Sequence, residues 1–297
     1  MQTLRSKARQ ASSRYWRTTI QILKLLEDLT STFTSAQSRL YLPVLLGCAL
    51  FCFIIRKNKL YSKGVKELFS LKTWLHPSSK TDFYLFTLNS LIKGLILLTW
   101  ANLLPESTIL FLRFLRSVLP EISPLPLYGS ILIFTVITFV IDDFSRFYTH
   151  YLLHKIPFLW KFHRVHHSAE VLTPMTLHRS HPVESIIMFF RNIFTYSVSI
   201  AFFIYLYRTN LSGYQILGVN IIGFIFNMCL SNLRHSNVPV TFGVLEKVFI
   251  SPYQHQLHHS NNPQHFNKNY GICLSIWDRL FGSLLLSKNQ KIEGFGL

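Results

Sequence analysis

Two copies of one five-residue pattern constrain this chain more than any other feature. His163-Arg164-Val165-His166-His167 and His255-Gln256-Leu257-His258-His259 both read H-x-x-H-H, and His150-x-x-x-His154 stands just upstream of the first. On a helix, offsets of three and four return side chains to one face, so each cluster presents two or three imidazoles in one direction. That is a metal-ligand spacing. A single composite site requires the fold to bring these separated helical segments to one place.

The surrounding chain is apolar. Of 297 residues, 49% are hydrophobic and only 14% are charged, which reads as a membrane protein. Cys48, Cys52, Cys229 and Cys273 form no C-x-x-C, so neither a thiolate site nor a disulfide framework is indicated, and any metal is held by imidazole. The net charge of +17 is spread between apolar runs. It therefore points to anionic lipid headgroups and not to nucleic acid.

Along the chain, residues 1–39 form a basic N-terminal segment, either an interfacial amphipathic helix or a disordered tail. Residues 40–82 hold a short apolar run at 41–55, barely long enough to span, and a basic loop. Residues 83–104 form a span, and the proline-broken stretch that follows reads as an interfacial helix and turn. A helix from residue 128 leaves the lipid through Asp142, Asp143 and Arg146 to reach His150 and His154. Two further apolar segments, 183–207 and 214–230, flank a polar turn suited to a helical hairpin.

The expected fold is all-α: an integral membrane bundle of about four transmembrane helices in two hairpins, with a cytosolic helical cap carrying the histidines. The basic loops 56–82 and 155–182 assign both to the cytoplasmic side, and an even number of spans between them puts every histidine cluster on that face. The apolar helices 183–230 are expected to supply a lipid-side entrance.

Eight or more imidazoles near one point exceed what a single ion can use, so two metal ions are implied. H-E-x-x-H is absent, as is the Glu-x-x-His arrangement of carboxylate di-iron bundles. An all-nitrogen pair of redox metals suits dioxygen activation. A histidine-rich metal transporter or metal-binding membrane protein is the alternative, although transport favours ligands within the spans.

With these boxes the chain resembles the fatty acid hydroxylase and sterol desaturase superfamily. The context agrees: His181-Pro182-Val183-Glu184, His235-Ser236-Asn237-Val238, and Asn269-Tyr270-Gly271 leading to Trp277-Asp278-Arg279-Leu280-Phe281-Gly282. The resemblance covers about residues 83–285 and leaves out residues 1–80 and the tail 286–297. It implies an integral membrane enzyme that uses two iron ions, O2 as co-substrate and reducing equivalents to hydroxylate or desaturate a fatty acyl, sphingolipid or sterol-like lipid. It also implies that His150, His154, His163, His166, His167, His255, His258 and His259 are ligands, with His235 a ninth and His181 a tenth, preferred over His178. His76 and His265 lack partners at helical spacing and read as interfacial or loop residues.

Around the ligands, Asp143 is either an acceptor for a ligand histidine or an ion-pair partner of Arg146 or Arg179. Asn237, Asn269 and Asp278 are candidate supporting groups, and Tyr253, Tyr270 and Trp277 either line a channel or anchor at the interface. No Rossmann fingerprint or haem motif is present, so electrons are expected from a separate electron-transfer protein. The C-terminal residues are no recognised retention signal, which favours a bacterial inner membrane over the endoplasmic reticulum.

Overall fold

A computed structural model describes residues 41–100, 102–126, 129–208, 226 and 231–297. The basic segment 1–39 and nearly all of the expected span 214–230 lie outside the described residues. Among those residues the protein is helical, with two isolated bridges, Phe249 to Leu274 and Ser260 to Phe295, and no strand.

Helix α1 (Leu42–Ile55) starts with Pro43 in its first turn, where a missing N–H costs nothing. At 14 residues it is about 21 Å long, short of the ~30 Å of a hydrocarbon core. Cys52 packs with Val65, Leu68, Leu233, Val238 and Val240, while Leu46, Leu50 and Ile54 point outward. Helix α2 (Lys59–Leu68) is capped by the Asn58 side chain, and α3 (Leu71–Trp74) by Ser70. Gly64 on α2 lies so close to the carbonyl of Asn237 that an added Cβ would sit 2.0 Å from its oxygen.

Four longer helices carry the apolar surface: α4 (Pro77–Trp100), α5 (Leu103–Val118), α6 (Ser130–Lys155) and, beyond the short α7 (Pro157–His167), α8 (Pro182–Tyr207). Among the described residues α8 alone is long and apolar enough to cross a membrane. Helix α4 carries Lys93, and α6 carries Asp142, Asp143 and Arg146. The stretch expected to be an interfacial helix and turn packs along α8. Phe111 meets Phe194 at 5.5 Å, Leu125 N donates to Leu206 O at 3.0 Å, and the Tyr205 hydroxyl donates to the Pro120 carbonyl. Small polar residues Thr195, Ser197 and Ser199 form part of the buried face of α8, which lets neighbouring backbones come close.

The turn between α6 and α7 positions the first histidines. Pro157 cannot continue a helix and pushes Ile156 into an extended conformation (φ −94°, ψ 114°), so α7 folds back on α6. Helix α9 (Pro252–His258) begins with a reciprocal capping box between Ser251 and Gln254. Helix α10 (Ile276–Leu280) closes the cap. The tail 286–297 packs across the cap: Asn261 N donates to Gly294 O at 3.1 Å, and Tyr253 Oη donates to Gln290 O at 3.1 Å.

Candidate metal centre

The fold gathers nine histidines into two adjoining clusters. His150, His154, His163, His167 and His258 form one, and His166, His235, His255 and His259 form the other, with ring nitrogens in each within 4.8 Å of one another. Each H-x-x-H-H box serves both. In the first box His163 and His167 face the five-histidine cluster and His166 the other; in the second His255 and His259 face the four-histidine cluster and His258 the other. The offset of four keeps two rings together, and the offset of three aims the remaining ring at the neighbouring cluster. One box therefore does not present all its rings to one point. Rings from the two clusters nearly touch, with His167 and His259 centroids 4.6 Å apart.

Outer hydrogen bonds settle the tautomers. His150 Nδ1 lies 2.8 Å from the Tyr270 carbonyl, His258 Nδ1 2.6 Å from the Lys268 carbonyl and His166 Nδ1 3.1 Å from the Arg179 carbonyl. A carbonyl only accepts, so each Nδ1 carries the proton and each Nε2 a lone pair. His163 Nδ1 pairs in the same way with the Glu184 carboxylate at 3.1 Å. Yet His150 Nε2 lies 3.1 Å from His163 Nε2 and 3.0 Å from His258 Nε2. Three lone pairs converge there with no proton to share, and His154 Nε2 and His167 Nε2 are buried without a partner among the described residues. A cation is what this donor set fits, and imidazole suits iron, zinc, copper and nickel.

Burial pushes the His163 and His166 imidazoles down to about 3. It likewise holds His167, His255, His258 and His259 well below the ordinary imidazole value, with neighbouring histidines adding to the effect. The rings are thus neutral at physiological pH, the form that ligates metal.

His181 is not brought into either cluster. Its Nδ1 accepts from Val183 N at 3.1 Å as the cap of α8, and its ring lies against Phe162. The conformation that caps a helix turns the imidazole back onto its own backbone. His178 packs edge-on to Phe86 and also lies outside both groups. His76 accepts from Ser78 N, and His265 Nε2 pairs with Gln290 Oε1, so both are structural.

Asp143 plays neither role expected of it. It accepts from Cys273 N (2.9 Å), Leu274 N (3.0 Å) and Trp277 Nε1 (2.9 Å), pinning the C-terminal loop to α6. Arg146 pairs with Asp142, and Arg179 with Asp82. Asp278 accepts from Tyr270 N (2.8 Å), Gly271 N (2.7 Å) and Ser283 Oγ (2.5 Å), and so fixes the carbonyl that anchors His150. Asn269 staples Gln254 to Leu285, and Asn237 donates to Glu67. Tyr270 is buried with its ring 5.0 Å from His154, whereas Tyr253 and Trp277 make structural hydrogen bonds.

Sequence patterns do not single out Glu184, Arg179 and Asp82 as supports of the centre. Glu184 stands three residues after a helix cap, where an acid ordinarily complements the helix dipole, and only the fold brings it to His163. The carbonyls of Tyr270, Lys268 and Arg179 leave no trace in a sequence at all.

A cavity of about 340 Å³ reaches the centre, lined by His154, Trp160, His167, His258, Phe266 and Leu297 among others. Trp160 lies 4.9 Å from His154 and 5.4 Å from His167 between ring centroids. No residue of α8 lines this cavity, and most of the expected entrance segment 214–230 lies outside the described residues.

The fatty acid hydroxylase profile matches residues 135–283, about half of the chain and the part that holds all nine clustered histidines. An alkylglycerol monooxygenase of Danio rerio is 28% identical over 51% of this chain and 30% of its own length. An ornithine lipid hydroxylase of Rhizobium tropici is 30% identical over 50% of this chain and 40% of its own. A Delta(7)-sterol 5(6)-desaturase of Aspergillus fumigatus is 26% identical over 59% of this chain and 47% of its own. The matched part therefore spans less than half the length of each relative. No solved structure matches the chain.

Proposed function

Because this chain belongs to the fatty acid hydroxylase family, we propose that it is a membrane-bound oxidoreductase that hydroxylates or desaturates a lipid with O2 and electrons from a separate protein. His150, His154, His163, His167 and His258 would hold one iron ion, and His166, His235, His255 and His259 the second. When bound, such a pair supplies the oxidising power needed to break an unactivated C–H bond. The observation that carries this reading is the convergence of the His150, His163 and His258 lone pairs at 3.0–3.1 Å, which no neutral protein group explains.

The protein's own residues bind and orient. Trp160, Phe266 and Leu297 give the cavity beside His154 and His167 an apolar wall, suited to a hydrocarbon segment held against the histidines with bulk water displaced. The outer acceptors Tyr270 O, Glu184 and Lys268 O hold the rings so that nitrogen faces inward throughout. Alkylglycerols, ornithine lipids and sterols, which the relatives' names specify, share an extended apolar body, and a lipid of that kind is the substrate class proposed. Helix α8 would cross the membrane, and the basic loops support a cytoplasmic centre.

The test is lipid mass spectrometry of cells expressing the chain or its His258→Ala variant under labelled dioxygen. The expected result is a lipid gaining one labelled oxygen, or losing two hydrogens, with the unmodified chain alone. Identical lipid profiles from both would refute the assignment.

A further inference from the structure

The two clusters are alike at their inner nitrogens and unlike at their outer ones. In the five-histidine cluster, His150, His163 and His258 each donate Nδ1–H to a protein oxygen, at 2.8, 3.1 and 2.6 Å. Those acceptors lock the protons outward, and the inward lone pairs repel unless a cation lies between them. Binding is favoured from both ends: three of the five ligands are preset, and the metal-free arrangement is costly.

In the four-histidine cluster, His166 is anchored on the Arg179 carbonyl, but His255 Nδ1 and His259 Nδ1 are buried with no partner among the described residues. Their Nε2 atoms lie 3.2 Å apart, and His255 Nε2 is also 3.2 Å from His235 Nε2. A proton on Nε2 of either ring makes a hydrogen bond across one of these contacts. Ligation through Nε2 instead forces both protons onto the buried Nδ1 atoms, where each lacks an acceptor. A buried donor without an acceptor costs about 1–3 kcal/mol, and loss of one outer partner ordinarily lowers metal affinity by roughly 10–100-fold.

We propose that the two metal positions are unequal. The five-histidine cluster holds its ion tightly, and the four-histidine cluster binds the second about 10²–10⁴-fold more weakly, the product of two missing outer acceptors. The chain then passes through a one-metal state as metal supply falls, and the second position sets the metal level at which the centre is complete. This rests on the reading that the clusters hold metal ions.

The test loads the full chain in detergent with ferrous ion without oxygen, dialyses it against graded chelator strengths, and counts metal per chain by mass spectrometry. Two release steps are expected, one ion leaving at about 10²–10⁴-fold lower chelator strength than the other. His259→Ala should abolish the early step and leave a tightly held ion. Glu184→Ala, which removes the His163 anchor, should weaken the late step alone by about 10–100-fold. The unmodified chain decides the matter even if a variant fails to fold. Release of both ions in one step overturns the inequality and leaves the metal reading intact, as does a Glu184→Ala chain that loses the loosely held ion instead. No metal on the unmodified chain overturns both.

Discussion

The Arg179 guanidinium lies 2.9 Å from the Asp82 carboxylate, and the pair is buried between α4 and the loop beneath His166. The same guanidinium donates to the carbonyls of Val165 and Ser168, while the Arg179 carbonyl anchors His166. Asp82 lies outside the segment shared with the family, yet it supports one of the clustered histidines. Removing one partner of a buried pair leaves an uncompensated charge, so Asp82→Ala should cost about 3–5 kcal/mol of stability. Thermal unfolding checks this, and an unchanged midpoint would show the pair to be dispensable.

Asp278 should prove equally necessary through a different route. Asp278→Ala strands the buried N–H groups of Tyr270 and Gly271, at about 1–3 kcal/mol each, and frees the carbonyl that orients His150. The expected outcome is a lower unfolding midpoint together with weaker metal retention. A variant that loses stability but keeps its metal would separate the loop from the centre.

Histidine spacing makes every clustered residue except His235 legible in the sequence, because an offset of three or four on a helix returns side chains to the same side. His235 has no such neighbour and enters through the family resemblance. Spacing does not convey that each box divides between two clusters, since that depends on how α7 and α9 face each other. His181 departs from expectation for a local reason: the His-Pro step that resembles part of a box is also a good helix start. Asp143 sits two helical turns from His150, but its lone pairs are taken by the loop at 273–277, a contact set by the fold alone. Hydropathy gives an expectation of about four spans, whereas among the described residues only α8 has the length and composition to cross a membrane.

Gly64 tests the packing of the N-terminal helices against the cap. Gly64→Ala would place a Cβ 2.0 Å from the Asn237 carbonyl oxygen, a backbone atom that cannot yield as a side chain would. The helix must move away from the segment following His235, at a cost of about 1–3 kcal/mol. Hydrogen exchange at 233–240 should rise in the variant, and wild-type protection there would argue against the contact.

Acid should unfold the metal-free protein. His163 and His166 fall to about 3 when folded against 6.5 when unfolded, so between these values the unfolded chain holds protons that the folded chain refuses. Their stabilisation is complete above 6.5 and is lost as pH falls toward 3. Asp278 works the other way: burial lifts its carboxyl from 3.8 to about 6, so its contribution favours folding as pH falls through that window. Asp278 is one of several buried carboxyls that oppose the histidines, but at least six depressed imidazoles outnumber them, and the histidines prevail. The unfolding midpoint of metal-free protein should drop steadily below about pH 6.5. A flat midpoint would mean that the rings are already protonated in the folded state.

The most direct measurement is the iron content of the full chain purified without oxygen, compared with a His163→Ala/His259→Ala double variant that alters both clusters. The account predicts two iron ions per unmodified chain and a clear loss from both positions in a variant that remains folded. An unmodified chain that folds without binding iron, or a double variant that keeps both ions, would contradict it.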